Sequence, residues 1–156
     1  MDKEKTCTFF GHRDITITDT LLTALKDEIE KAVWSRCRIF LFGGFGKFDK
    51  LCHQMVSEFQ KLHPDISIQR IFCVPQERDL RKQAWYFNKA LFEDVVYLTP
   101  SFNGWYKSIY YRNLAMIDNS DCIIFYAEKR ENSGAYKAYK YAVKQKGKKI
   151  VNLYGI

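Results

Sequence analysis

With 156 residues, 47% of them hydrophobic and 16% aromatic, the chain is long enough to bury one core and too short for two comfortable domains. Its net charge of +7 suits an anionic partner, whether a nucleotide, a nucleic acid or a phosphate-bearing metabolite, although solubility alone would also explain it. No apolar run approaches the ~18 residues of a membrane helix, and the N-terminal Met-Asp-Lys-Glu-Lys lacks the apolar stretch of a secretory signal, so the expected address is the cytoplasm.

In chain order, short apolar runs alternate with helical patterns. Thr6 to Phe10 reads as a strand that stops at Gly11-His12-Arg13. A helix from about Asp19 to Trp34 follows, with Leu22, Leu25, Ile29 and Val33 at helical spacing and Thr18 or Asp19 as cap. Arg38 to Phe42 is an almost continuous apolar strand, the pattern of a sheet covered on both faces, and it ends at Gly43-Gly44-Phe45-Gly46. Phe48, Leu51, Cys52, Met55, Phe59 and Leu62 then recur at steps of three and four, until His63-Pro64 breaks the helix. Ser67 to Val74 is a third strand.

From Pro75 to about Tyr106 the rhythm loosens around Trp85, Tyr86, Phe87, a short strand-like Val95 to Leu98, and the turn residues Pro100, Asn103 and Gly104. Ser108 to Asn119 is helical, Asp121 to Ala127 is a buried-type strand, and a helix after Asn132-Ser133-Gly134 puts Ala135, Ala138, Tyr139, Ala142 and Val143 on one face. Gly147 stops that helix, and Ile150 to Leu153 is the last strand. Five to six strands separated by helices predict an α/β, Rossmann-like three-layer sandwich with a mostly parallel central sheet, as a single domain over residues 1–156.

The five cysteines form no C-x-x-C pair and fall on apolar segments, the pattern of reduced, structural thiols; clustered zinc ligands are missing, so no metal is expected. In open parallel sheets ligands sit beyond the carboxyl ends of the strands, where helix N-termini gather. Three turns occupy that edge. Gly11-His12-Arg13 follows the first strand and is compatible with a plain turn. Gly43-Gly44-Phe45-Gly46-Lys47-Phe48-Asp49 follows the second, and its glycines let backbone amides face an anion, although neither G-x-G-x-x-G nor the P-loop is matched. Glu131-Asn132-Ser133-Gly134 opens the last helix, either as a simple cap or as a phosphate-binding start. Arg112-Asn113 on the preceding helix pairs a planar guanidinium with an amide, suited to phosphate or base recognition and equally to an ordinary surface position. His53 and His63 read as structural, and no Ser/His/Asp or Cys/His set can be assembled from spacing.

Together these motifs resemble the SLOG superfamily, the Rossmann-like group of the DprA/Smf DNA-processing proteins and the LOG-type nucleotide hydrolases. The resemblance is carried by Gly11-His12-Arg13 after a strand, Gly43-Gly44-x-x-x-Phe48-Asp49 after the next, Tyr111-Arg112-Asn113-x-x-Met116-x-Asp118-x-Ser120-Asp121, and Ser133-Gly134-Ala135 before Tyr141-Ala142. It spans nearly the whole chain and is strongest toward the short, stand-alone, YpsA-like bacterial branch. It implies a nucleotide or nucleotide-derivative ligand between the second-strand turn and the last helix. Gly11, His12, Arg13, Gly43, Gly44, Phe45, Gly46, Lys47 and Asp49 would shape it, Arg112 and Asn113 would reach in, and Ser133 and Gly134 would donate to phosphate.

LOG-type hydrolases carry a glutamate on the last helix where this chain has Tyr139, and a tyrosine cannot act as that carboxylate. The leading expectation is therefore binding or sensing of a nucleotide-like phosphate ligand. Lys47, Arg13 and Arg112 would neutralise the phosphate, Trp85, Trp105 or a nearby Tyr would stack a base, and Arg112→Ala would cost binding without lowering the ligand-free melting point. The alternatives are a nucleoside-phosphate N-glycosidase or phosphoribohydrolase and, given the charge and the lysine-rich 137–149 segment, a single-stranded DNA-binding protein. Members of the group often dimerise, and the aromatic stretch from Trp85 to Tyr111 offers residues for such an interface.

Overall fold

The computed structural model describes residues 1–75, 89–100 and 104–156. Six strands, β1 (Thr6–Gly11), β2 (Ile39–Phe42), β3 (Gln69–Cys73), β4 (Asp94–Val96), β5 (Cys122–Tyr126) and β6 (Lys149–Asn152), form one sheet in the order β4-β3-β2-β1-β5-β6. Every pairing is parallel. The helices among the described residues are α1 (Asp19–Trp34), α2 (Gly46–Leu62), α3 (Trp105–Asp118) and α4 (Gly134–Val143). The fold is the expected Rossmann-like α/β arrangement.

The strands' alternation decides what each face buries. Phe9, Phe40, Phe42, Phe72 and Ile124 turn to one side and pack with Leu21, Leu25 and Ile29 of α1 and Phe48, Cys52 and Val56 of α2. Phe10, Leu41, Ile71, Ile123 and Phe125 turn to the other side, against Met116 and Ile117 of α3 and Ala135, Ala138 and Ala142 of α4. Both faces are covered, which is why these strands lack polar alternation. The chain steps from β1 to β4 in one direction, returns to β5 on the far side of β1, and then uses the opposite helical layer. Parallel crossovers keep one hand, so reversing direction changes the covered face. The gap between β1 and β5 is the resulting switch point.

Element ends differ from expectation where backbone partners, not apolar spacing, set them. Gly46, at φ 83°, is the first residue of α2, earlier than the apolar stripe beginning at Phe48 suggests. α3 starts at Trp105 rather than Ser108, because Gly104, at φ 102°, makes the turn and its carbonyl accepts the Ser108 N–H (3.2 Å). β4 is cut to three residues paired with Ile71–Cys73, so Tyr97 and Leu98 leave the ladder. Thr18 is the cap of α1, accepting the Leu21 N–H at 3.1 Å. Trp85, Tyr86, Phe87 and Asn103 lie outside the described residues.

All five cysteines are free thiols, four of them buried. Among the described residues, no helix is long and apolar enough to cross a membrane.

Candidate functional site

The β1, β2 and β5 turns meet at the carboxyl edge of the sheet. Lys47 N–H donates to the Arg13 carbonyl (2.8 Å), locking the second turn against the first. A Cβ on Gly46 would lie 2.6 Å from the Arg13 Cα, so only glycine lets these backbones approach. Gly11 is equally constrained, since a Cβ there would lie 2.2 Å from the Phe48 ring. Between these turns and the start of α4 lies a cavity of about 670 Å³. It lies over the switch point, and its volume is that of a small-molecule site.

Of the residues expected at a ligand, Gly11, His12, Arg13, Gly43, Phe45, Asp49, Arg112, Asn113, Ser133 and Gly134 all line this cavity. Gly44, Gly46 and Lys47 do not. Gly44, at φ 88°, is buckled into the turn by Asp49, whose buried carboxylate accepts the Gly44 N–H at 2.9 Å. The Gly44 and Lys47 amides are thus taken by protein acceptors rather than facing an anion. Lys47 differs most from expectation. Its ammonium pairs with Asp14 (2.8 Å) out on the surface and holds that carboxyl below the usual carboxylate range. The preference of a helix start for a nearby anion is met here by the chain's own Asp14.

Arg112 is a buried group instead of a surface one, only 3% exposed. One terminal nitrogen donates to the carbonyls of Gly43 and Cys73 (3.0 Å to the latter), tying together the carboxyl ends of β2 and β3. Its Nε and other terminal nitrogen donate to Asn113 Oδ1 at 3.2 and 3.0 Å, and the guanidinium lies 5.6 Å from the Phe45 ring centroid. Arg112 lines the cavity while its donors hold the cavity wall. This corrects the view of Arg112 as serving a ligand alone. Trp105, considered for base stacking, packs edge-on against Phe45 at 5.3 Å.

The opposite wall is built by α4. Ser133 caps it, accepting the Tyr136 N–H at 3.2 Å. The N–H groups of Gly134 and Ala135 open the helix, where no intrahelical acceptor exists, and both residues line the cavity. The segment leading to α4 is anchored by Asn152, which accepts the Ala127 N–H and donates to its carbonyl, both at 3.0 Å.

His12, buried at the end of β1, joins the two sides. Its Nε2 accepts the Glu128 N–H at 2.7 Å, and its Nδ1 lies 3.2 Å from Ser133 Oγ. A backbone donor at that distance requires a bare Nε2, so the proton of the neutral ring is on Nδ1. Burial, reinforced by the Arg130 charge, holds the imidazole below its usual range and keeps it neutral at pH 7. Ser133 and His12 therefore do not make a nucleophile and base, because the nitrogen facing the hydroxyl has no free lone pair.

Sequence reading passed over several cavity residues, notably Arg130, whose Nε donates to Glu128 at 2.7 Å. It belongs to no motif, and only the loop's return to the sheet edge brings it there. Tyr139, which stands where LOG-type hydrolases have their glutamate, packs against Phe125 (5.2 Å) in the core and not into the cavity.

The fold matches solved structures. The structure of DNA processing protein A from Streptococcus pneumoniae superposes with a TM-score of 0.58 at 13% identity, over 95% of this chain and 50% of that one. That of DNA processing protein A from Helicobacter pylori, a structure described as giving its single-stranded DNA binding mode, superposes at 0.63 with 15% identity, over 96% and 65% respectively. The chain has a DprA-like fold. It spans about half to two-thirds of those chains, and the likeness is one of fold. No family model and no curated protein matches the sequence.

Proposed function

We propose that the cavity binds a nucleotide or nucleotide-derived ligand through its phosphate, held at the start of α4. The observation that carries this reading is the presence around one cavity over the switch point of the helix-start residues Gly134 and Ala135, the capping Ser133, and three arginines, Arg13, Arg112 and Arg130, the last two also bonded to the protein's own acceptors. Helix-start amides and arginines both favour phosphate oxygens. The carboxylates sharing the cavity are offset: Asp14 by Lys47, Glu131 by Lys140 at 3.7 Å, and Asp49 by its hydrogen bond to the Gly44 N–H.

Binding fits the site better than hydrolysis. Cleaving a base–ribose bond calls for a carboxylate or imidazole able to exchange a proton at the reacting atoms. α4 has no acidic residue, the cavity carboxylates Asp14, Asp49 and Glu131 are engaged by Lys47, the Gly44 N–H and Lys140 respectively, and His12 has both nitrogens engaged. A nucleotide panel is expected to release no free base, and release would revive the N-glycosidase alternative. On the quoted motifs we place the chain nearest the YpsA-like branch.

Mass spectrometry of ligand carried through native purification, followed by thermal shift with nucleotides, tests the reading. A ligand at 100 times its dissociation constant should add about 2.7 kcal/mol of stability. A full nucleotide panel without any shift would defeat it.

Single-stranded DNA is the second reading, favoured by the H. pylori neighbour and by the exposed Tyr106 and Tyr110 on α3, the helix that also sends Ile109 and Arg112 to the cavity. Retention on a single-stranded oligonucleotide that weakens steeply between 50 and about 200 mM salt would support it. The same tyrosines offer a surface for a homodimer, which sedimentation distinguishes.

A further inference from the structure

Ser133 Oγ has two lone pairs, and both have a donor. Tyr136 N–H takes one at 3.2 Å, and His12 Nδ1–H, at 3.2 Å, takes the other. The tautomer is not free to change, because the Glu128 N–H stands 2.7 Å from Nε2 and would oppose a proton there. The ring is held in place as well, edge-on to Tyr126 with centroids 6.4 Å apart. With its acceptor capacity used, the Ser133 hydroxyl retains only its own proton. It must send that proton away from both donors, and the side of Ser133 left open is the cavity it lines.

We propose that His12 is a positioning residue that makes Ser133 a donor-only group, so that the α4 end of the cavity accepts an oxygen anion without donors of its own and rejects a ligand presenting an N–H or ammonium there. The proposal rests on the anion reading of the cavity and adds the chemical selection at its far end. Three donors, the Ser133 hydroxyl and the Gly134 and Ala135 amides, then belong to residues lining the same end of the cavity, and none of the three offers an acceptor to a competing amine. Helix capping alone does not require this. A cap needs only the Tyr136 contact and would leave the hydroxyl able to accept as well as donate.

The ring tautomer is read directly in the unaltered protein from long-range proton–nitrogen correlations of a ¹⁵N-labelled sample. A protonated Nδ1 with a bare Nε2 for His12 near neutral pH is the expected result, and a protonated Nε2 or an averaging ring overturns the proposal. Inorganic sulfate, an acceptor-only dianion, is the probe for selection, followed by amide shifts of Gly134 and Ala135. Ser133→Ala should weaken sulfate about tenfold, the loss of one hydrogen bond to a charged group. His12→Phe should weaken it in the same direction, and the double variant should be no weaker than Ser133→Ala alone, since His12 acts through Ser133.

Should His12→Phe fail to fold, the ring tautomer and the Ser133→Ala titration still decide. Failure of the parent to bind sulfate would overturn the anion reading and this proposal together. Sulfate binding that ignores Ser133→Ala, or losses that add in the double variant, would overturn this proposal and leave the anion reading standing.

Discussion

Arg112 shows how burial changes the meaning of a residue. Its side chain closes two carbonyls at the ends of β2 and β3 that would otherwise be buried without donors. Arg112→Ala should therefore lower the stability of the ligand-free protein by about 2–4 kcal/mol, because stranded buried polar groups cost about 1–3 kcal/mol each. Urea denaturation measures it, and an unchanged midpoint would mean the guanidinium serves the ligand alone. Two glycines make a contrasting pair. Gly11→Ala drives a Cβ into the fully buried Phe48 ring and should cost about 1–3 kcal/mol. A Cβ on Gly134 meets nothing within 4 Å, so Gly134→Ala should leave the melting point near that of the parent while the added methyl stands at the cavity wall and weakens the ligand. Equal effects of the two on stability would contradict the packing described.

At the scale of elements, α4 depends on its cap. Ser133→Ala removes the acceptor of the Tyr136 N–H and should destabilise the protein by about 0.5–2 kcal/mol. Hydrogen exchange should locate that loss in the first turn of α4, and a loss spread evenly over the sheet would argue against it. The helix boundaries that sequence periodicity placed well are those whose apolar stripe runs to the end, as in α1 over Asp19–Trp34. The start of α3 it misplaced, and the start of α2 its apolar stripe leaves open; the two begin after Gly104 and at Gly46, glycines at positive φ, where backbone geometry and not side-chain burial sets the turn. Lys47 belongs to the same lesson, since nothing local distinguishes a lysine facing a phosphate from one paired with Asp14 across the turn.

For the molecule as a whole, two buried imidazoles contribute to the response to mild acid. Burial lowers the pKa of His12 and of His53, the latter wedged between Phe42 and Phe92 with its Nε2 2.8 Å from the Leu91 carbonyl. In the unfolded chain both take up a proton near the ordinary value of about 6.5, before the folded chain does. The unfolded state thus binds more protons below that pH. The stabilisation is fully present above about pH 6.5 and is lost as pH falls toward the lowered folded values. Melting temperature should decline from pH 7 to about pH 5, and less steeply in His12→Phe; an equal slope would remove His12 from the account.

The chain's own pattern determined the layers of this protein: continuous apolar strands demand two covered faces, and stripes at helical spacing supply the covers, so the α/β sandwich and the edge where its glycines gather are local properties. Which groups meet at that edge is a different matter. His12 touches Ser133 and Arg112 touches Gly43 across 121 and 69 residues of chain. Whether a donor faces a ligand or a carbonyl depends on distances that no local spacing encodes. Only the reversal of strand order at β1, which sends β5 to its far side, brings those partners within reach, and it thereby decided which amides were left open at the cavity.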